Sequence, residues 1–316
     1  MIWKQVCNAD SVKTVTCIGC GLIGGGWVVH FLKQGFNVVV WDPASDARET
    51  LEKLLQQAIP VVFETEQVLE QCRQRLHFSE TLAEALSNAD YVQESAPEIL
   101  SLKRELFRDI DKHLDVNVIV GSSTSGLLMS DMVKTAIYPQ RFVVCHPFNP
   151  AYLIPFMEVI PSHKTLPEIA LWAQKFFELS GKKVALIDKE VPGFIGNRLQ
   201  AAIWRECVHM LKEGEASVEQ LDMAVRDGLA LRWSLLGPFM TFHSAVLDGG
   251  MRSFLEKFNG FFDKPWSRLQ APEIDEEFIE YLVTATESAA GGESNEDIVR
   301  RRDQGLVAIL TALESK

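Results

Sequence analysis

Two side chains in the apolar run "VVCHPFNPAYLIPFMEVI", residues 143–160, are able to do acid–base chemistry: the imidazole of His146 and the carboxylate of Glu158. Stripping either group of water by itself is costly, because a buried polar or charged side chain needs a compensating partner. As a pair they satisfy each other. The carboxylate accepts from one ring nitrogen, fixes the tautomer and leaves the second nitrogen to act as a base on a reacting hydroxyl. Spacing alone keeps a second reading open, a buried histidine satisfied by backbone groups.

A second set of residues has the spacing of a phosphate cradle. Gly19-Cys20-Gly21-Leu22-Ile23-Gly24 follows the strand-like "SVKTVTCI" directly and opens the helical pattern "GGGWVVHFLKQG". The first glycine permits a tight turn, the second lets a pyrophosphate approach the backbone, and the third lets helix pack on strand. The helix start adds unpaired N–H groups and the positive end of a dipole. A G-x-G-x-x-G in isolation is only a tight turn. Here a second strand, "FNVVVWD", ends on Asp42, an acid placed to accept from both ribose hydroxyls of a dinucleotide. Pro43 and Ala44 follow it, and the nearest arginine is Arg48. A carboxylate with no adjacent cation repels a 2′-phosphate, so the expected cofactor is NAD rather than NADP.

Cys17 and Cys20 form a C-x-x-C, but one ends a strand and the other lies inside the glycine turn, without the helix start that a redox motif uses. No second ligand pair stands at metal-site spacing, so no metal is expected. Six cysteines scattered along 316 residues fit reduced thiols better than a disulfide framework.

These residues need a scaffold, and the first 190 positions supply an alternation of short β-branched runs with helical patterns. Amphipathic helices are expected near 44–58 and 61–75, and further strands at "ADYVQESA", "NVIVGSST", "RFVVCHPF" and "KKVALID". Strands alternating with helices predict an α/β fold, a doubly wound parallel sheet of the Rossmann type, with the reacting groups at the carboxyl ends of the strands. After "VPGF", residues 191–194, the pattern turns helical to the end, with breaks at Gly237-Pro238, "NGFFDKPW" and "GGESN". The expected division is a dinucleotide-binding domain over 1–190 and an all-helical domain for substrate and dimer contacts over 191–316.

The motifs "GCGLIG", "ESAPE", "SSTSG", "CHPFNP", "MEVI" and "PGFIGNR" occur in the order and spacing of the 3-hydroxyacyl-CoA dehydrogenase family, and the chain resembles that family over nearly its whole length. The resemblance implies NAD-dependent oxidation of a hydroxyl, with His146 as base, Glu158 orienting it, and Ser125 and Asn197 hydrogen-bonding near the reacting oxygen. It also implies Glu98 and Lys103 at the cofactor, and Ser123 and Asn149 near its nicotinamide end. From the residues alone, Ser125 and Asn197 are merely a turn residue and a helix-start residue. In the second domain, "DGLALRWSLLGPFMTFHSAVLDGGM", residues 227–251, resembles the branch of the family that oxidises L-carnitine, with the L-gulonate-oxidising branch as the nearest competitor.

Trp233, Phe239 and Phe242 offer aromatic faces able to hold a quaternary ammonium, although rings in a helical domain are usually packing core. Arg198 and Arg232 are candidates for a substrate carboxylate, or else structural ion-pair partners. Acidic residues outnumber basic ones, 43 against 31, for a formal charge of −12. That argues against a nucleic-acid or anionic-membrane partner. It shows no obvious cationic surface for the phosphates of an acyl-CoA, but dispersed lysines would serve, so a true acyl-CoA enzyme stays open as an alternative. With no signal-like or membrane-spanning run, the expected setting is cytoplasmic. A homodimer is expected by resemblance only. The class competing with an enzyme is a binding protein that keeps the dinucleotide fold without turnover, which the complete set of reacting residues disfavours.

Overall fold

The computed structural model describes residues 7–246, 248, 250–258 and 267–314. The chain forms two compact units. One runs to Ile195 and takes in Arg302–Ala308; the other comprises Gly196–Arg301 with Ile309 onward.

The first unit is an eight-stranded sheet with helices between its strands. In chain order it contains β1 Thr14–Ile18, α1 Leu22–Lys33, β2 Asn37–Trp41, α2 Ala47–Ala58, α3 Glu66–Arg73, β3 Leu76–Phe78 and α4 Leu82–Leu86. These are followed by β4 Tyr91–Glu94, α5 Leu100–His113, β5 Ile119–Ser122, α6 Met129–Met132, β6 Phe142–Pro147, β7 Phe156–Ile160, α7 Pro167–Leu179 and β8 Lys183–Leu186. The strand order is β3-β2-β1-β4-β5-β6-β7-β8. β1 to β6 run parallel, and the order reverses between β1 and β4, the point at which an open α/β sheet offers a crevice at its carboxyl edge.

Helices cover both faces of the sheet, so its strands read as continuous apolar runs whose side chains alternate between two cores. Val143 and Cys145 of β6 join the core that contains Trp27, Phe31 and Phe177. Phe142 and Val144 join the opposite core, with Phe107, Ile110 and Phe194.

Two expectations change on contact with the structure, and one strand was not foreseen. The sheet is not wholly parallel: β7 runs antiparallel to β6, and β8 parallels β7. Proline at position 60 sits in a π-helical turn, Ile59–Phe63, that breaks the second amphipathic pattern, and Glu64 takes a positive φ of 67°. α3 is therefore confined to Glu66–Arg73 rather than 61–75. The three-residue β3 was too short to register as a pattern in the sequence.

The second unit contains α8 Gly196–Lys212, α9 Val218–Met223, α10 Ala230–His243, α11 Gly250–Lys257, α12 Glu276–Ala290 and most of α13 Asn295–Glu314, whose middle turns count with the first unit. Its buried core is small, centred on Val208, Leu211, Leu221 and Phe278. Gly237, at φ 69° and ψ 173°, and Pro238 kink α10. Among the described residues no helix is long and apolar enough to cross a membrane.

Candidate active site

The glycine cradle is built by close approach. Gly19 adopts φ +83°, and a Cβ there would lie 2.8 Å from the Ser95 carbonyl oxygen. A Cβ on Gly24 would lie 2.0 Å from the Gly19 carbonyl oxygen, so the third glycine is what lets α1 begin against the turn. A Cβ on Gly21 would meet nothing within 4 Å. Gly21 is also the N-cap of α1 and supplies no side-chain cap, which leaves open space over the helix start for an anion. Cys20 is buried in this turn, Leu22 is exposed and Ile23 is half-buried.

Asp42, just past β2, is already organised: Oδ2 accepts from the Cys20 backbone N–H at 2.9 Å and Oδ1 from Ala44 N–H at 2.9 Å. Arg48, the nearest arginine, donates to Glu80 at 3.0 Å and to the Phe78 carbonyl at 3.2 Å, and lies 4.4 Å over the Phe78 ring. Its charge is spent locally. The cradle and acid therefore fit a dinucleotide with a free ribose 2′-hydroxyl. Burial pushes the Cys17 thiol up, and pushes Cys20 up to about 12, the opposite of the depressed value a redox thiolate requires.

His146 and Glu158 are direct cross-strand partners in the antiparallel β6–β7 ladder. Opposed residues share a face, and their side chains meet: His146 Nδ1 lies 2.7 Å from Glu158 Oε2. Glu158 is fully buried, and its other oxygen accepts from the Ile195 N–H at 2.8 Å. An ionised carboxylate can only accept, so Nδ1 donates to it, and in the neutral imidazole Nε2 is the nitrogen left to accept a proton. The imidazole is flanked by Phe148 and Phe194, with ring centroids at 5.3 and 5.5 Å. Phe194 holds this place with φ 52°, a conformation uncommon outside glycine.

The loops leaving β4, β5 and β6 converge on a cavity of about 190 Å³ lined by Ile23, Ser95, Ala96, Glu98, Ser123, Ser125, His146 and Pro147. Glu98 organises the serine loop. Its Oε1 accepts from the Thr124 hydroxyl at 2.6 Å and from the N–H groups of Ser125 and Gly126 at 2.9 and 3.0 Å. Burial pushes the Glu98 carboxyl up, but the Thr124 hydroxyl, the Lys103 charge and the Gly126 and Leu127 amides outweigh it and hold the carboxyl below its ordinary range. Lys103 is buried; its ammonium pairs with buried Glu94 at 2.6 Å, donates to the Ala96 carbonyl at 2.9 Å, and stands 3.7 Å from Glu98. It reaches the cavity through those neighbours.

Six of the expected residues, Ile23, Glu98, Ser123, Ser125, His146 and the Glu158 behind it, thus gather at one edge of the sheet. Asn149 is exposed just beyond β6, before a cis bond to Pro150. Asn197 is the second residue of α8. The three aromatic candidates belong to α10 and differ in setting. Phe239 is 79% exposed, Phe242 packs against Phe254 with tilted rings and centroids 4.9 Å apart, and Trp233 is half-buried. The Trp233 indole N–H is buried and has no hydrogen-bond partner among the described residues.

Residues 14–191 match the family model for the 3-hydroxyacyl-CoA dehydrogenase NAD binding domain, and residues 193–292 the model for the C-terminal domain of the same enzymes. The chain belongs to the 3-hydroxyacyl-CoA dehydrogenase family. The first of its two family domains binds NAD. Within the family, the chain is 45% identical over 305 residues to an L-carnitine dehydrogenase of Streptomyces coelicolor, covering 96% of each chain. It is 40% identical to one of Pseudomonas putida, covering 96% of this chain and 95% of that one. Among solved structures it resembles an NAD+-dependent dismutase, FHMPC 5-dehydrogenase, with TM-score 0.80, 26% identity and coverage of 96% and 99%. A (S)-3-hydroxybutyryl-CoA dehydrogenase of Ralstonia eutropha follows the same fold at TM-score 0.63 and 26% identity, covering 87% of this chain and 95% of that one.

Sequence reasoning passed over Ser95, Gln93 and Thr124, which complete the cavity wall and its support. It also did not separate β7 from the apolar run around His146. The turn-rich "FNPAYL" divides two β-prone runs and marks a break between strands, but nothing in it fixes which way the second strand runs.

Proposed function

We propose that the protein catalyses the NAD-dependent oxidation of the 3-hydroxyl of L-carnitine to 3-dehydrocarnitine. The near-full-length likeness to the L-carnitine dehydrogenases carries the choice of substrate. The His146–Glu158 pair in the wall of the cavity supports the chemistry. Gly19, Cys20, Gly21, Leu22, Ile23, Gly24 and Asp42 hold the adenosine and pyrophosphate side of the cofactor. Glu98 and Lys103 serve the cofactor through the serine loop, Lys103 by holding Ala96 and Glu98; Asn149 serves the nicotinamide side, and Ser123 does so through the neighbouring Ser95 hydroxyl. A bound NAD supplies the hydride-accepting ring. His146 takes the hydroxyl proton at Nε2, and Glu158 steadies the imidazolium that forms. Ser125 and Asn197 donate to the oxygen as negative charge develops, an assignment that rests on the family resemblance.

Trp233, Phe239 and Phe242 are proposed for the trimethylammonium, with the exposed Phe239 face the most open of the three. The division of labour follows the sequence, 1–190 for NAD and 191–316 for substrate and self-association, in the cytoplasm. A homodimer accounts for the apolar surface of the second unit, where Trp204 is 60% exposed beside a groove of about 160 Å³. Initial rates with NAD against L-carnitine, D-carnitine, L-gulonate and 3-hydroxybutyryl-CoA test the reading. L-carnitine should have the highest kcat/KM, and a higher value for either of the last two would replace it as substrate.

A further inference from the structure

The cavity wall contains a hydroxyl outside the acid–base pair, that of Ser95, and the hydrogen bonds behind it fix the direction of its proton. Ser123 Oγ lies 3.0 Å from Trp27 Nε1, 2.7 Å from Gln93 Nε2 and 2.8 Å from Ser95 Oγ. An indole N–H can only donate. The Gln93 amide is oriented too, because its nitrogen also faces the Cys145 carbonyl at 3.4 Å, a pure acceptor, while its oxygen takes the Tyr91 hydroxyl at 2.5 Å. Both lone pairs of Ser123 Oγ are therefore filled by donors. Its single proton has one place to go, Ser95 Oγ.

Ser95 thus accepts from behind and keeps its own proton for the cavity it lines. Its place in the fold says what lies in front. Ser95 follows β4 and abuts the glycine turn: a Cβ on Gly24 would come within 3.1 Å of Ser95 Cβ. Asp42, at the end of β2, marks the adenosine side of β1. Ser95 stands on the opposite side of β1, in the cavity it shares with His146, where the reacting end of the cofactor must lie. We propose that Ser95 is a cofactor-binding residue whose hydroxyl donates to the nicotinamide-riboside half of NAD, held in that sense by Trp27, Gln93 and Ser123. The proposal rests on NAD as cofactor.

The test is to measure the dissociation constants of NADH and ADP for the wild-type protein and for Ser95→Ala. ADP carries the adenosine side and lacks the riboside that Ser95 would meet. Loss of one hydrogen bond should weaken NADH by about 3- to 10-fold and leave ADP unchanged. Equal weakening of both ligands would mean that the substitution only disturbs the glycine turn, and unchanged NADH affinity would mean that the hydroxyl meets no cofactor atom; either result overturns the assignment. A wild-type protein that binds ADP but not NADH would instead overturn the cofactor reading beneath it.

Discussion

At the scale of single residues, the two ends of the chemistry make separable predictions. His146→Gln keeps a hydrogen-bonding shape at Glu158 but removes the basic nitrogen, so kcat should fall by roughly two to four powers of ten while NADH still binds. Glu158→Gln leaves the imidazole in place and should cost less. Turnover within a few-fold of wild type for His146→Gln would require another base. Asp42 accepts from the Cys20 amide, and its proposed second duty is toward the ribose. Asp42→Ala should therefore weaken NAD and narrow the preference over NADP, since it removes an attraction and a repulsion together. Steady-state KM values for both cofactors read this out, and a wild-type preference for NADP would sink the assignment.

The elements explain what could and could not be read in advance. The strand–glycine–helix unit and Asp42 were legible because each signal is local: β1, the turn and α1 are contiguous, and their spacing is dictated by backbone contact. The His–Glu partnership was legible as a need, since neither group is tolerable when buried by itself, but its geometry was not. It depends on β7 reversing direction, and an apolar strand buried on both faces looks the same whichever way it runs. Ser95 was invisible for a different reason. Its role comes from Trp27, Gln93 and Ser123, whose positions in the chain lie far apart and meet only through the sheet order.

The loop between β6 and β7 is held by Lys182, a buried ammonium that donates to the carbonyls of Ala151 and Ile154, 2.9 Å away in the latter case. It lies 5.2 Å over the Trp27 ring. Burial pushes Lys182 down from an ordinary 10.5 to about 7. Below pH 7 it is protonated folded and unfolded alike, and the fold bears the full burial penalty. As pH rises from about 7 toward 10.5, the unfolded chain retains a proton that the folded one has released, so this residue's contribution to stability improves. Lys182→Met removes the titration and leaves two carbonyls unpaired, at a cost of about 1–3 kcal/mol. Denaturant melts of both proteins should show the wild-type advantage widening between pH 7 and 10. A constant gap would remove Lys182 from the account.

For the whole molecule, the proposal to test is that the second unit holds the substrate headgroup. Its helices were legible as helices, yet the fate of each ring was not, because an amphipathic pattern gives a face and not a neighbour. Phe242 is engaged with Phe254, while Phe239 is left open. If an aromatic face holds the trimethylammonium, Phe239→Leu should raise KM for L-carnitine by an amount equivalent to about 0.5–2 kcal/mol, with kcat little changed. A neutral analogue, carbon in place of nitrogen, should bind wild type more weakly than L-carnitine but lose little more in the variant. Equal wild-type affinity for the charged and neutral compounds would dissociate the headgroup from recognition.

The antiparallel pairing of β6 with β7 also bears on the order in which the molecule assembles. His146 and Glu158 are only twelve positions apart, joined across a short connection, whereas the cavity around them needs strands drawn from the whole first unit. Short loops close early and at little entropic cost, while non-local strand pairing comes late. The acid–base couple should therefore be set during folding before any crevice exists to receive a cofactor.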